Sequence, residues 1–426
     1  MPKAHKVAQG DTLNAIAIRY TGSAGAVPSI VAANPQLQGR KQSLEGWPVI
    51  FPDDTLIMPE DQTAAAPAPA AAMNPVVVGG GEQDCSIVIN GKKFTGFISY
   101  SLKLQYDSLD TFSFTAPYDP NIEALRELAQ PFAFALCEVF YNDALVFRGT
   151  LLTPDPELAN TTSEITLQGY PLCGVLNDCM TPPTRYPLQC MGLNLKGIAD
   201  AACDSYSIPV VFDGEIGPPF TEVSLEATDN VLDFLVKLAK QRKLLCTNTS
   251  KGELLFFSPK EEEVFASFTE GRYPLLSVKP KFNAQNFYSH ITGLAKTEVE
   301  NLSLAWVFEN SYLINKGVLR HHTVNIDSAE SQSDLENAVI AYAGRMLSDC
   351  VSFTLECESH VNEKNEVFKK GMRVSVYAPS AMIARETVFI AKEVELQCTT
   401  EGKTAVLTLV LPGSYTGEIP KEFPWE

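Results

Sequence analysis

The sequence predicts a multi-domain, mainly β protein with α+β portions. Three features carry that expectation. Residues 98–107 (ISYSLKLQYD) place Ile98, Tyr100, Leu102, Leu104 and Tyr106 at alternate positions, with Ser99, Ser101, Lys103, Gln105 and Asp107 interleaved. A two-residue period buries one face of a strand, whereas a helix would smear the pattern around its axis. Residues 61–82 (DQTAAAPAPAAAMNPVVVGGGE) are Ala, Pro and Gly, which supply no core and favour extended backbone, so they read as a linker. Residues 228–243 carry Val231, Leu232, Leu235, Leu238 and Ala239 as one helical stripe, set between strand-like runs.

Residues 1–60 read as a small βααβ unit. HKVAQGDTLNAIAIRY is a strand, a turn at Gly10-Asp11, then a helix with Leu13, Ile16, Ala17 and Tyr20 on one side, capped by Asp11 or Thr12. A second helix over 27–33 stops at Asn34-Pro35, and FPDDTLIMPE supplies the closing strand. Beyond the linker, residues 83–176 form a β meander, expected to be the wall of a first β-barrel. SIVIN, KKFTGF, 98–107 and FSFTA come first, then a short helix over 121–129, and strands over 132–141 and 145–152 joined at Asn142-Asp143. Residues 177–280 are an α/β insert. It has helices over 193–206 and 228–243, the latter capped by Thr228 or Asp229, and a hairpin turning at Lys251-Gly252. Residues 281–412 return to strands, broken by one helix over 333–347, and are expected to form a second β-barrel domain. Residues 413–426 are Pro- and Glu-rich and read as an extended tail.

Composition bounds the function. The chain has 426 residues, which exceeds a single core. The formal charge is 33 − 51 = −18, which repels nucleic acid and anionic lipid, so no specific nucleic-acid binding is expected. No stretch approaches the ~20 apolar residues of a membrane helix. The opening MPKAHKVAQGD lacks the apolar core of a signal peptide, so assembly in the cytoplasm is expected. Ten cysteines with no CxxC pair read as buried free thiols.

Catalytic patterns are sparse. His321 and His322 are adjacent on a strand, point to opposite faces, and cannot chelate one metal together. HExxH, GxSxG and SxxK do not occur, and the KEEEV run at 260–264 reads as a solvated turn and not as a glycosidase pair. No catalytic residue, metal or cofactor is therefore expected.

Two resemblances add to this reading. The first unit resembles a LysM domain through Val7, the GDTL at 10–13, Ile16-Ala17, Tyr20, Ile30, Asn34-Pro35, and Pro52, Asp54-Thr55-Leu56 and Pro59. Asp53 stands where a glycine is usual, and the spacer over 39–51 is long. The resemblance implies a shallow groove for N-acetylglucosamine polymers at Gly10, Asp11, Thr12, Leu13, Ile30, Asn34 and Pro35. The alternatives are peptidoglycan binding and docking onto other baseplate proteins.

From about residue 86 to 412 the chain resembles the baseplate hub protein of Mu-like contractile-tailed phages. The stretches that carry this are INGKKFTGF (89–97), LKGIADAACDSYSIPVVFD (195–213), the run over 223–257, and the ending GMRVSVYAP, AKEVELQC and TAVLTLVLP. The resemblance implies a non-enzymatic homotrimer, a ring joining the tail tube or its initiator to the central spike, with wedge or other baseplate proteins as further partners. It implies a place in the virion. The alternatives are the hub of a phage-derived contractile injection system and a LysM-anchored cell-wall hydrolase.

Overall fold

The structure is a computed structural model. It describes residues 85–426 apart from 95, 129, 159–162, 184–187, 227, 297–302 and 327–328; before residue 85 it describes 4–7, 13, 16–17, 27–37, 40, 48, 50–52 and 54–57. The chain divides into two units, Met1–Asn74 and Pro75–Glu426.

In the first unit, strand β1 (Ala4–Lys6) pairs antiparallel with β2 (Thr55–Ile57). The helix Val27–Ala33 and a 3-10 turn Pro35–Leu37 lie between them in sequence. Val7, Leu13, Ile16, Ala17, Val27, Ile30, Leu37 and Leu56 form its core.

The second unit is built on one sheet of thirteen strands. Its first half holds β3 (Cys85–Ile89), β4 (Lys92–Phe94), β5 (Ser99–Gln105), β6 (Thr111–Pro117), β7 (Leu136–Tyr141), β8 (Ala144–Leu158) and β9 (Ser163–Pro171). Asn142 and Asp143 both take positive φ, 47° and 62°, the geometry that a two-residue hairpin turn with the right twist requires. In β5 the expected alternation is present: Tyr100, Leu102 and Leu104 are buried, and Ser99, Ser101, Lys103 and Gln105 line the other face.

The insert follows, with β10 (Leu188–Met191), β11 (Val210–Asp213), β12 (Glu222–Leu225), β13 (Leu245–Asn248) and β14 (Leu254–Phe257). β10 pairs with β12, while β14 pairs with β13 and, in parallel, with β11. The helices are Leu195–Cys203, capped by Asn194, and Val231–Gln241, capped by Asn230, whose side chain accepts the amide of Asp233 at 2.9 Å. The cap therefore falls on Asn230 and not on Thr228 or Asp229. The insert has its own core around Leu195, Ile198, Leu235, Leu238 and Phe256.

The remaining strands are β15 (Val264–Thr269), β16 (Leu275–Phe282), β17 (His290–Lys296), β18 (Ser303–Glu309), β19 (His321–Asn325), β20 (Val351–Cys357), β21 (Arg373–Ala378), β22 (Ile383–Thr399) and β23 (Gly402–Val410). β15 and β16 pair with β21 and β20. The insert boundary expected at 280 therefore moves to about 258, because these two strands belong to the large sheet. The helix Gln332–Cys350, capped by Ser331, packs against the three-stranded sheet β18-β17-β19.

The two halves expected as separate β domains are joined. β5 pairs with β22 from Gln105↔Glu393 to Tyr100↔Cys398. On one face Leu102 and Leu104 meet Val394 and Leu396 in a single core that runs from Cys85 to Phe423. On the other face Lys103 Nζ lies 3.2 Å from Glu393 and 3.8 Å from Glu395, and Ser101 Oγ donates to Glu395 at 2.7 Å.

The segment 413–426 is not an extended tail. It starts with the helix Gly413–Thr416 and ends with Phe423 fully buried. Phe423 stacks on Trp425 at 4.6 Å and meets Tyr312 edge-on at 4.4 Å, while Lys316 holds Glu426 at 3.1 Å. Aromatic burial outweighs the extended bias that its prolines suggest.

Two outcomes test these packing arguments. Phe423→Ala is expected to lower the unfolding free energy by about 3–5 kcal/mol in a urea titration, because a fully buried ring is deleted. At the seam, burial pushes the Glu395 carboxyl up, but Ser101, Gln397 and Lys103 outweigh it and hold the value below the ordinary one. A lowered folded value gives stability that is present above the unfolded pKa and lost as pH falls through the folded one. Glu395→Gln is therefore expected to flatten the acid limb of the stability profile, measured by thermal unfolding between neutral and acid pH.

Candidate functional site

Of the residues expected to touch a sugar, Gly10, Asp11 and Thr12 lie outside the described residues. Leu13 and Ile30 are buried in the small core. Asn34 is buried too, and its amide is spent on the fold. Nδ2 donates to the carbonyls of Ile30 at 2.7 Å and Ile57 at 2.8 Å, and Oδ1 accepts the Ile57 amide at 2.7 Å. It ties the end of the helix Val27–Ala33 to β2. Pro35 is exposed at the start of its 3-10 turn. Of the described members, only Pro35 presents its side chain to solvent.

In the second unit the polar chemistry concentrates where three segments meet. Asp110, between β5 and β6, is 2% exposed. Lys370 Nζ lies 2.8 and 2.9 Å from its two oxygens, 2.8 Å from Thr247 Oγ1 and 3.0 Å from the Asn248 carbonyl. Asn248 Nδ2 donates to Asp110 at 2.8 Å, and the Gln105 amide donates at 2.7 Å. Burial pushes the Asp110 carboxyl up, opposed by Lys370 and these donors. The cluster thus joins the first half, the insert and the second half through one charge pair. Gly371 permits the approach: its φ is +78°, and a Cβ there would fall 2.1 Å from the Tyr106 ring.

A second contact binds the insert to the helix Gln332–Cys350. Arg242 pairs with Asp334, both nearly buried, and its guanidinium lies 3.9 Å over the Phe220 ring. Glu330 accepts the amides of Thr221 at 2.6 Å and Glu222 at 3.0 Å, and Asn337 Nδ2 donates to the Gln241 carbonyl at 3.0 Å. A cleft of about 2000 Å³ runs alongside, lined by both helices, with Asp107, Lys240 and Arg345 among its walls. Burial and the Arg345 charge lower the Lys240 value.

Other titratable side chains are tied into the fold. His322 stacks on Tyr288 at 4.6 Å, and its Nε2 lies 2.9 Å from the Tyr342 hydroxyl. His360 Nε2 faces the Gln397 and Thr404 carbonyls at 2.8 and 2.9 Å. Burial pushes the thiols of Cys173, Cys203 and Cys357 up to about 12, which keeps them protonated and poor nucleophiles. Among the described residues no three His, Cys, Asp or Glu side chains converge as a metal site. These contacts hold segments of the second unit together.

Comparison with known proteins agrees with an architectural reading. Residues 173–258 match the family described as "Baseplate hub protein gp44-like, second domain", and these residues are the folded insert. Residues 4–60 match the family "Phage Tail Protein X". Comparison with curated proteins finds no match. Among solved structures, the chain resembles a 43 kDa tail protein of prophage MuSo2 from Shewanella oneidensis, at 17% identity and TM-score 0.66, covering 78% of this chain and 98% of that one. A tail protein from Neisseria meningitidis MC58 matches at 18% identity and TM-score 0.66, with the same coverages of 78% and 98%. A chain of the Francisella PdpA–VgrG complex matches at 12% identity and TM-score 0.50, covering 79% of this chain and 59% of that one.

Lys370→Met is expected to cost about 3–5 kcal/mol in urea unfolding, because it leaves Asp110 buried and unpaired. Adding Asp110→Asn to that variant is expected to restore part of the loss. Over 78% of its length the chain has the fold of the Shewanella and Neisseria tail proteins, and residues 173–258 match the second domain of the gp44-like hub family.

Proposed function

We propose that the protein is a structural baseplate hub of a contractile tail, three copies forming a ring that joins the tail tube to the central spike. The observation that carries this reading is the coincidence of the hub-like match over 173–258 with an insert that has its own core and is clamped into the thirteen-stranded sheet. The place of action is then the virion tail, and the partners are a second and third copy, the spike, the tube or its initiator, and neighbouring baseplate proteins. The same role would serve in a phage-derived injection particle, where a spike is also held.

The sheet edges bear on how copies meet. Beyond its pairing with β7, β8 carries Pro154 and Pro156, and β16 carries Pro280 between Lys279 and Lys281. Prolines and lysines at an edge deter strand pairing with another chain. At these two edges strand pairing between copies is disfavoured, which leaves faces and loops for contact there. The exposed Phe132 and Phe134, 83% and 62% accessible and both at positive φ, suit such a loop contact.

For the first unit we favour docking onto a tail protein, because Leu13, Ile30 and Asn34 are committed to its core. The LysM-like sugar groove is the second reading, and a cell-wall hydrolase is the third.

Light scattering on the purified protein is expected to give a particle of 3 × 46.5 kDa, about 140 kDa. A mass fixed at one chain across all concentrations would overturn the ring. In co-sedimentation with purified sacculi the chain is expected to stay in the supernatant, and zymography on peptidoglycan is expected to show no clearing.

A further inference from the structure

The three-stranded sheet β18-β17-β19 has one face against the helix Gln332–Cys350. Gly293 marks it: a Cβ there would fall 2.2 Å from Val339 Cγ2. His290, three positions earlier in β17, lies on the opposite face by the alternation of a strand. Its direct neighbours in register are Glu309 on β18 and His321 on β19. Glu309, His290 and His321 thus form a row across three strands, with Glu309 and His321 exposed and His290 half-buried.

The two imidazoles are already side by side. Their rings are stacked with centroids 4.4 Å apart and planes 13° from parallel. Beneath them, the buried Ser289 hydroxyl donates to the Arg320 carbonyl at 2.9 Å and accepts the Arg320 amide at 2.8 Å. His290 Nδ1 lies 2.9 Å from the same oxygen, and the ring's tautomer decides which of the two donates. With hydrogen on Nδ1 the lone pair sits on Nε2, the arrangement in which a ligating histidine has its other ring nitrogen bonded to a fixed acceptor.

We propose that His290 and His321 form a cross-strand two-imidazole site for a borderline divalent transition metal, the class of Cu2+, Ni2+ and Zn2+. Two nitrogens on one tetrahedral ion, each at about 2.0–2.1 Å, lie roughly 3.3 Å apart. In the stacked rings the in-plane lone pairs run side by side, so loading turns both imidazoles out of the stack until they converge, a side-chain motion on strands already in register. Glu309, the register neighbour of His290 on β18, adds negative charge on the same face, and water completes the shell. Imidazole nitrogen suits this class of ion better than Mg2+ or Ca2+. His322 takes no part, because it faces the other side, between Tyr288 and Tyr342. A bound ion would clip β17 to β19 across the connection that contains the helix Ser311–Asn315.

The test is a Cu2+ titration of the full chain, read by calorimetry and by electron paramagnetic resonance. The expected result is one site with the hyperfine pattern of two imidazole nitrogens and a rise in Tm on loading. His290→Ala and His321→Ala are each expected to weaken it more than tenfold, and Ser289→Ala by about tenfold through loss of the tautomer. His5→Ala is expected to leave it unchanged. Circular dichroism checks that each variant is folded, and His321→Gln serves as a second, milder variant. Binding that survives in the His290→Ala/His321→Ala double variant, or wild-type uptake no greater than that variant's, would overturn the site. An unchanged Ser289→Ala would overturn its positioning role.

Discussion

The second unit depends on the handling of one long strand, β22. Its early part, Ile383 to Ile390, pairs with β21, and its later part, Glu393 to Cys398, pairs with β5 on the same side. The register shift between Ala391 and Glu393 falls at the handover. A bulge bends and twists a strand locally, and this one lets a single strand serve two neighbours in turn. Without that handover the first and second halves would have no shared ladder. With it, Leu102, Leu104, Val394 and Leu396 bury a common face, and Lys103 bridges two carboxylates on the other.

The insert is attached on different terms. Most of its apolar residues are satisfied internally, with Leu109 and the Tyr106–Phe257 ring contact at 4.9 Å crossing the junction. The polar ties are Thr247 and Asn248 to the Asp110–Lys370 pair, and Arg242 to Asp334 on the helix Gln332–Cys350. Buried pairs of this kind contribute little net stability, since desolvation offsets the attraction, but each is costly to break from one side. They fix where the insert sits more than how strongly the unit folds. That suits a part whose position relative to a sheet matters to an assembly.

Much of this was legible in local pattern. The alternation at 98–107, the Asn142-Asp143 turn and the insert helices follow from side-chain period and turn chemistry, which act over a few residues. The misses are non-local. β16, whose Pro280 and two lysines weaken any local strand signal, falls at the end of the expected insert, yet pairing with β20 holds it in the large sheet. Phe423 and Trp425 sit in a Pro-rich segment whose burial depends on Tyr312 and Phe282, more than a hundred residues away. Asp110 and Lys370 are separated by 260 positions, and nothing near either one announces the other. In the first unit the motif picks out Leu13, Ile30 and Asn34, which pack or hydrogen-bond within the fold; a residue spent on the core and one that faces a ligand look alike in a motif.

The seam also sets a schedule for synthesis. β5 ends at Gln105 and its partner stretch begins at Glu393, 393 − 105 = 288 residues later. At ~5–20 residues per second a ribosome needs about 15–60 s to cover that distance. Throughout, the nascent first half presents β5 with one flank paired to β6 and the other unmatched. Its lone cation, Lys103, is then the guard at that open flank, and only later becomes a bridge.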